Sequence, residues 1–282
     1  MKISVKVICF ALALFTLQAC GFQFWYNRLG WLSTWYADDY VTLTSVQEER
    51  IESLVDKHAL WHRQTQLPRY NQFIDDVLND VKSKQFKQNY DTYGERLVSF
   101  YHDILAQVLN DAVRELSQLS DAQVKELMQN LNASAQSESK DYLAQTDEKR
   151  LENAHDEAIE SYEEWFGSLT DSQENLIIET VNQLKPTGKL RIEYLKEWRQ
   201  AFKLALAERR SESGQQALHS LLRNPRQLRS PQLIENSEHN NQLRKALQLK
   251  LFESASEEQT EHFIDYLNEY REDFTELIAD AN

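Results

Sequence analysis

The amino-acid sequence predicts an all-α protein, an elongated multi-helix bundle of antiparallel helices. Three observations support this class: few turn-forming residues, apolar residues at helical spacing, and a helix-start motif that recurs along the chain. The 282 residues include 6 Gly and 4 Pro, far below the roughly 12% that these two types contribute on average. Folds that need many tight turns are therefore disfavoured, and 41% hydrophobic residues are too many for a disordered chain.

The first residues have the layout of a secretory signal. Lys2 and Lys6 form a positive region, and Val7–Thr16 is an apolar run of about ten residues. Because a membrane-spanning helix needs about twenty apolar residues, this run is too short to be one. We therefore predict that residues 1–19 are a signal peptide.

The leader ends in Leu17-Gln18-Ala19-Cys20, which resembles the signal of bacterial lipoproteins. The resemblance implies cleavage before Cys20, diacylglycerol on its sulfur, and acylation of the new amino terminus, with palmitate as the expected chain. Gly21 follows, instead of the aspartate that commonly retains such proteins in the inner membrane. We expect a lipid-anchored protein of the outer membrane that faces the periplasm; an ordinary signal peptide with a chance cysteine is the alternative.

Cysteine usage and charge narrow the choice of partners. Cys9 and Cys20 are the only cysteines, so the body has none for a disulfide or a thiolate metal site. With 31 basic and 45 acidic residues, the chain has a net charge of −14. Such an acidic balance disfavours nucleic acid and anionic lipid as partners.

Residues 20–42 form an aromatic-rich segment next to the predicted lipid. Its aromatic residues are Phe22, Phe24, Trp25, Tyr26, Trp31, Trp35, Tyr36 and Tyr40. They suit either a short amphipathic helix in the headgroup layer of the membrane or a cap over the helical core. We favour the core, because Asp38 and Asp39 would be repelled by an anionic surface.

Beyond Tyr40 the apolar residues follow the helical period. The predicted helices cover about 51–61, 70–81, 85–116, 121–166, 171–184, 189–210, 232–252 and 257–278. Asn132–Lys140 is almost entirely Ser, Ala, Gln and Glu, which predicts either solvated helix or a flexible break. Gly94 indicates a close contact or a kink. Asn224–Pro231 is predicted to be a loop, and the arginines around it a solvated basic turn.

One short motif recurs at four predicted helix starts. Its copies are Leu43-Thr44-Ser45-Val46-Gln47, Leu119-Ser120-Asp121-Ala122-Gln123, Leu169-Thr170-Asp171-Ser172-Gln173 and Ala255-Ser256-Glu257-Glu258-Gln259. Each is a capping box, in which a hydroxyl and a glutamine satisfy the first free amides of the helix. Similar spacing within the two pairs predicts two similar halves, residues 43–168 and 169–282; independent use of a favourable cap remains open.

The sequence resembles two known groups of proteins, each through different residues. The Leu-Thr-x-x-Gln pattern is similar to that of the periplasmic stress proteins Spy and CpxP, which implies a helical, chaperone-like protein. Nearly the whole mature chain resembles an uncharacterised family of gammaproteobacterial lipoproteins, a domain of unknown function. The residues that carry this second resemblance are Trp25-Tyr26-Asn27-Arg28-Leu29, Trp35-Tyr36-Ala37-Asp38-Asp39-Tyr40, Trp61-His62-Arg63 and Leu67-Pro68-Arg69-Tyr70.

The sequence offers little catalytic chemistry. His58 and His62 have the spacing of a shared metal site, but the residues between them lack the glutamate of a zinc protease, so packed histidines are favoured. No glycine-rich phosphate loop or cysteine nucleophile is present in the predicted mature chain. We predict a protein that is not an enzyme and that has neither a cofactor nor a metal.

One constellation near the anchored end is a candidate binding site. It consists of Asp38, Asp39, Trp61, His62, Arg63 and Arg69. The arginines are expected to pair with the acids, either as a structural network or as a surface on which Trp61 packs against a partner and Arg63 binds a carboxylate.

These features predict a protein that works by binding in the cell envelope. The leading hypothesis is a protein-binding, chaperone-like role with one or more envelope proteins as partners. The alternative is a structural adaptor that tethers one partner, or peptidoglycan, to the outer membrane.

Overall fold

The computed structural model describes residues 23–280. The predicted signal peptide, Cys20, Gly21 and Phe22 lie outside the described residues. Within the described range the fold comprises eleven α-helices and one short 3-10 helix, and it contains no β-strand. This confirms the predicted all-α multi-helix bundle.

The helices follow one another with short connections. They are α1 (Leu29–Asp38), α2 (Ser45–Thr65), α3 (Leu67–Lys82), α4 (Phe86–Gln118), α5 (Asp121–Ala144), α6 (Asp147–Phe166), α7 (Asp171–Asn182), α8 (Gly188–Ala207), α9 (Glu212–Arg223), the 3-10 helix (Pro225–Leu228), α10 (Pro231–Ser254) and α11 (Glu257–Ala279). Among residues 23–280, no helix combines the length and apolarity that crossing a membrane requires.

The main departures from the predicted boundaries have local causes. Residues 132–140 belong to an uninterrupted α5, so this stretch is solvated helix, and the chain breaks later, at Gln145. There Thr146 caps α6 by accepting a hydrogen bond from the amide of Lys149. The sequence did not predict α9, and the predicted loop contains the 3-10 helix. A Cβ at Gly94 would meet no atom within 4 Å, so no close contact explains that glycine.

All four predicted capping boxes are confirmed. The backbone amides of Thr44, Ser120, Thr170 and Ser256 donate to the glutamine Oε1 three residues on, at 2.9–3.1 Å. The cap hydroxyls accept from the amides of those glutamines at 3.1–3.4 Å. Each motif therefore satisfies amides that the first helical turn leaves without intrahelical partners.

The helices form two compact units. The first contains the chain up to Val77 and again from Asn268, and the second contains Leu78–Leu267, so that the boundaries fall within α3 and α11. The two units are defined by contacts between residues. The predicted halves, residues 43–168 and 169–282, would instead be copies of an internal repeat, and that repeat stays a prediction.

In the first unit, α1 packs on α2. Gly30 is buried at their contact, where a Cβ would lie 2.6 Å from Oδ1 of Asp56. Thr34 donates to Oε1 of Glu52 at 3.0 Å on the same side of α1. A residue without a side chain at position 30 therefore lets the two helices approach closely.

The second unit has an aromatic and aliphatic core. Phe166 is almost fully buried and its ring lies 4.9 Å from Phe252 and 6.2 Å from Phe263, between ring centroids. Ile177 and Leu251 complete this core and are entirely shielded from solvent. The core joins α6, α7, α10 and α11 by burial of apolar surface.

The third and fourth capping motifs contact each other next to this core. The side-chain amides of Gln173 and Gln259 donate to each other's Oε1 at 3.0 and 2.9 Å. Gln259 also donates to the carbonyl of Ser168 at 2.8 Å. These buried glutamines therefore fix the starts of α7 and α11 to each other as well as capping them.

Candidate functional site

His62, one of the predicted binding residues, lies between two tyrosines in the first unit. Its Nδ1 is 2.6 Å from the hydroxyl of Tyr26, and its Nε2 is 3.3 Å from the hydroxyl of Tyr70. The imidazole ring centroid is 5.9 Å from that of Tyr26 and 5.4 Å from that of Tyr70. Both ring nitrogens are thus engaged with hydroxyl groups of the fold.

Burial sets the protonation of this cluster. It raises the pKa of Tyr26 to about 12, although the nearby Arg63 guanidinium acts in the opposite direction. It also lowers the pKa of His62, because the imidazolium form is less well solvated there. Near neutral pH the imidazole is therefore uncharged, with one nitrogen that accepts a hydrogen bond and one that donates.

Arg63 attaches the N-terminal segment to α2. Its Nη2 donates to Oδ1 of Asn27, and its guanidinium carbon lies 4.9 Å from the centroid of the Tyr26 ring. Trp61 is half-buried, with its ring 6.5 Å from that of His62. His62 and Arg63 therefore belong to one network, whose main contacts are with Tyr26, Asn27 and Tyr70.

The expected pairing of acids with arginines does not form. Asp38 and Asp39 are exposed at the end of α1, and within residues 23–280 neither makes an ion pair with Arg63 or Arg69. Arg69 is exposed and donates from Nη1 to Oε1 of Gln66 at 2.8 Å. The reason is geometric: Arg63 points towards the segment before α1, and Arg69 reaches back to the residue that links α2 and α3.

The same region contains the His58 and His62 pair. Residues 23–280 contain no group of three or more His, Cys, Asp or Glu side chains arranged to hold a metal ion. The contacts of His62 with Tyr26 and Tyr70 occupy the nitrogens that a metal would need.

Exposed aromatic side chains line the start of the described chain, and we call them the aromatic ridge. They are Phe24, Trp25, Trp31, Trp35 and Tyr36, each 46–59% exposed. The indoles of Trp31 and Trp35 stack with centroids 6.3 Å apart, and Arg28 covers the Phe24 ring at 3.7 Å. The expectation that these rings cap the core is wrong for the ridge, and among the residues before α1 it is Tyr26 that packs inward against α2.

A second candidate site lies in the second unit, and we call it the arginine cleft. It is an open cleft of about 830 Å³ between α5, α6, α8 and α10, and the turn from α7 to α8 also lines it. Five basic side chains line it: Arg150, Lys185, Arg191, Arg199 and Arg244. Three acidic side chains also line it: Glu138, Asp147 and Glu157. The cleft therefore carries an excess of positive charge in an acidic protein.

Two buried asparagines of α10 fix the turn from α7 to α8 that lines the cleft. Asn240 accepts from the backbone amide of Lys185 at 2.8 Å and donates to its carbonyl at 2.9 Å. Asn236 donates to the carbonyl of Pro186 at 3.1 Å. Beyond this turn, a Cβ at Gly188 would lie 2.1 Å from the hydroxyl of Tyr142, so only glycine lets that ring line the cleft unchanged.

Sequence reasoning missed the arginine cleft because its residues come from helices far apart in the chain. Arg150, Arg199 and Arg244 each stand in an ordinary amphipathic helix, with no local cluster. A partial signal was present on α8, where Arg191, Leu195 and Arg199 recur at four-residue spacing and share a helix face.

The described residues thus define an all-α protein with an exposed aromatic ridge in one unit and a basic cleft in the other. Comparison with known protein families identifies the family of the chain. Residues 39–233, more than half of its length, match DUF6279, a family of unknown function, and the chain belongs to that family. No curated protein and no solved structure shows a significant match.

Proposed function

We propose that this protein is a lipoprotein of the outer membrane, anchored through lipid on Cys20 with its body facing the periplasm. In this proposal the helical body binds envelope proteins in a chaperone-like manner. A structural adaptor that tethers one partner, or peptidoglycan, to the membrane is the alternative. The resemblance of residues 17–20 to a lipoprotein signal, and of the chain to gammaproteobacterial lipoproteins, supports the anchoring.

The observation that carries the proposal is the aromatic ridge. Phe24 is four positions after Cys20, and an extended chain spans at most about 14 Å over four positions. A lipid on Cys20 therefore holds the start of the ridge close to the headgroup layer, where Trp and Tyr are enriched. Asp38 and Asp39 lie at the other end of α1, about 15 Å beyond its first residue and next to Trp35 and Tyr36, so their charges do not oppose placing the start of the ridge in the headgroup layer.

Metabolic labelling tests the anchor. We expect cells that express the full chain and are grown with an alkyne analogue of palmitate to label the protein and retain it in the membrane fraction. Cys20→Ser should abolish both labelling and membrane retention. Unlabelled wild-type protein, or a Cys20→Ser variant that stays in the membrane, would contradict the proposal.

Site-specific photo-crosslinking tests the ridge. A photoreactive residue in place of Trp25 or Trp31, at the start of the ridge, should give lipid adducts in cells. The same residue in place of Leu204, which is 60% exposed on α8, should not. Equal lipid labelling from all three positions would count against membrane contact through the ridge.

Crosslinking from the body separates the two binding roles. Leu195 lines the arginine cleft and is partly exposed, so a photoreactive residue there samples whatever binds. Many protein adducts would support the chaperone-like role, and one discrete adduct would support the adaptor. If the protein is anchored but gives no protein adduct from this position, both the chaperone-like role and the adaptor role are contradicted.

A further inference from the structure

We infer that the arginine cleft binds acidic peptide segments that also carry apolar side chains. This inference rests on the proposed function and names its binding site, because it assigns to the cleft the segments that the body would hold. Four features of the cleft support it: unpaired arginines, an apolar lining, acidic side chains and a preformed turn.

Three arginines of the cleft have no carboxylate partner among residues 23–280. Across the described part of the chain, the side chains of Arg191, Arg199 and Arg244 form no ion pair or hydrogen bond. The Nε of Arg199 is buried and lacks a hydrogen-bond partner there. A guanidinium offers a planar fork of donors that matches a carboxylate, so these side chains present unused recognition groups.

The other two cations of the cleft are already engaged. Arg150 pairs with Asp147 and donates to the carbonyl of Tyr142 at 2.9 Å, and its guanidinium also covers the Tyr142 ring. Lys185 pairs with Glu235 at 2.9 Å. The available positive charge therefore lies on the wall formed by α8 and α10.

Apolar side chains lie between the charged groups. The cleft is lined by Leu151, Ala154, Val181, Leu184, Ile192 and Leu195. A small inorganic anion would leave this surface exposed to water. A ligand with apolar side chains covers it and gains the free energy of removing it from solvent.

The acidic side chains argue against a dense polyanion. Glu138 on α5 and Asp147 and Glu157 on α6 line the same cleft as the free arginines of α8 and α10. Closely spaced phosphates would be repelled there, whereas a peptide can place separated carboxylates against α8 and α10 only. The charge pattern therefore favours a peptide over a nucleic acid or polyphosphate.

The cleft is also preformed where the turn from α7 to α8 lines it. Asn236 and Asn240 are 7% and 4% exposed and hold the turn from α7 to α8 through its backbone. Binding therefore does not require this turn to become ordered, which removes an entropic cost.

A second cleft in the same unit lacks these features. It measures about 620 Å³ between α4 and α9, and Val113 is the one aliphatic residue that lines it. Arg114 there pairs with Asp111 at 2.6 Å, and Arg210 lies 3.5 Å from Asp121. Because these cations already have carboxylate partners, we place the acidic ligand in the arginine cleft alone.

Peptide binding to the purified full chain in lipid nanodiscs tests the inference. The probes are three labelled peptides that repeat Ser-Glu-Leu, Ser-Gln-Leu or Ser-Lys-Leu, measured by fluorescence anisotropy. We expect the glutamate peptide to bind most tightly. Arg199→Gln should weaken its binding about tenfold, since a hydrogen bond to a charged group is lost.

Matched variants keep the result interpretable. Arg199→Lys retains the charge but not the fork, and should recover part of the affinity. Arg223→Gln with Arg226→Gln removes two exposed arginines outside the cleft and should leave binding unchanged. Circular dichroism checks that each variant is folded.

Three outcomes would overturn the inference: no binding of the glutamate peptide, equal or tighter binding of the lysine peptide, or binding that the Arg199 variants do not alter. The palmitate experiment is independent of these measurements. An anchored protein whose cleft binds no peptide defeats this inference alone, whereas an unanchored protein that binds the peptide defeats only the membrane part of the proposed function.

Discussion

At the scale of the residue, His62 illustrates how burial turns a candidate binding group into a structural one. Its ring contacts Tyr26 and Tyr70, and these hydrogen bonds suit a neutral imidazole. Because burial lowers its pKa in the folded protein, the unfolded chain, with an ordinary pKa of about 6.5, binds the proton more readily. The stability that neutral His62 contributes is therefore present above about pH 6.5 and is lost as the pH falls through the folded pKa.

Replacing His62 with glutamine tests this linkage. His62→Gln should lower the free energy of unfolding by about 1 kcal/mol at neutral pH, since it disrupts the hydrogen bonds to the tyrosines. The gap between wild type and variant should narrow as the pH falls to about 5.5. Urea unfolding at several pH values measures it, and Tyr70→Phe, which keeps the imidazole, should retain the pH dependence. A gap of constant size would show that His62 is not the titrating group.

At the scale of the element, the capping motifs start their own helices and also form hydrogen bonds with other parts of the fold. Sequence predicted four similar helix starts, and each forms its capping box. Only the folded chain brings Gln173 and Gln259 into reciprocal hydrogen bonds. In another copy, Asp121 accepts from Nη2 of the buried Arg209, which lowers the pKa of Asp121, while the Nε of Arg209 donates to the carbonyl of Leu119 at 2.9 Å.

Replacing Gln259 tests whether the hydrogen bonds between the starts of α7 and α11 stabilise the protein. Gln259→Ala should reduce the free energy of unfolding by about 2 kcal/mol, because a cap and buried hydrogen bonds are lost together. Gln200→Ala, at an exposed position of α8, should change it by less than about 0.5 kcal/mol. In urea unfolding, the double variant Gln173→Ala/Gln259→Ala should lose less than the sum of the single variants. Additive losses would mean that the two side chains do not stabilise each other.

At the scale of the whole molecule, the dominant feature is the excess of negative charge. The net charge of −14 is spread over the helix surfaces, while the free arginines are gathered in one cleft. Self-repulsion is visible on α11, where burial and then the charges of Glu276, Glu269 and Glu272 raise the pKa of Asp273. Such repulsion weakens the folded state and is screened by salt.

Thermal unfolding at increasing NaCl concentration tests the effect of this charge. The Tm of the full chain should rise between low and physiological ionic strength. Asp273→Asn should raise the free energy of unfolding by about 0.5 kcal/mol at low salt and reduce the further gain from NaCl. Glu193→Gln, whose helix neighbours include Lys189 and Lys196, should not stabilise the protein. A Tm that falls with added salt would contradict net repulsion.

The predicted constellation holds together in the fold where its residues are neighbours in the chain, and its role in binding stays a prediction. His62 and Arg63 are adjacent in the chain and share one network in the folded protein. Asp38 and Asp39 were grouped with them through an expected pairing with the arginines, but Arg63 donates to Asn27 and lies against the ring of Tyr26 instead. The exposure of Trp31 and Trp35 was likewise undecidable from spacing, since a helix face can turn towards either core or solvent.

The sequence alone determined what depends on local order: the all-α class, most helices and the four caps. It did so because helical period, capping chemistry and scarce turn residues act over a few neighbouring positions. The tertiary structure alone decided which side chains from distant helices meet. The pairing of Gln173 with Gln259 and the gathering of Arg191, Arg199 and Arg244 arise from helix packing, whose geometry no local pattern specifies.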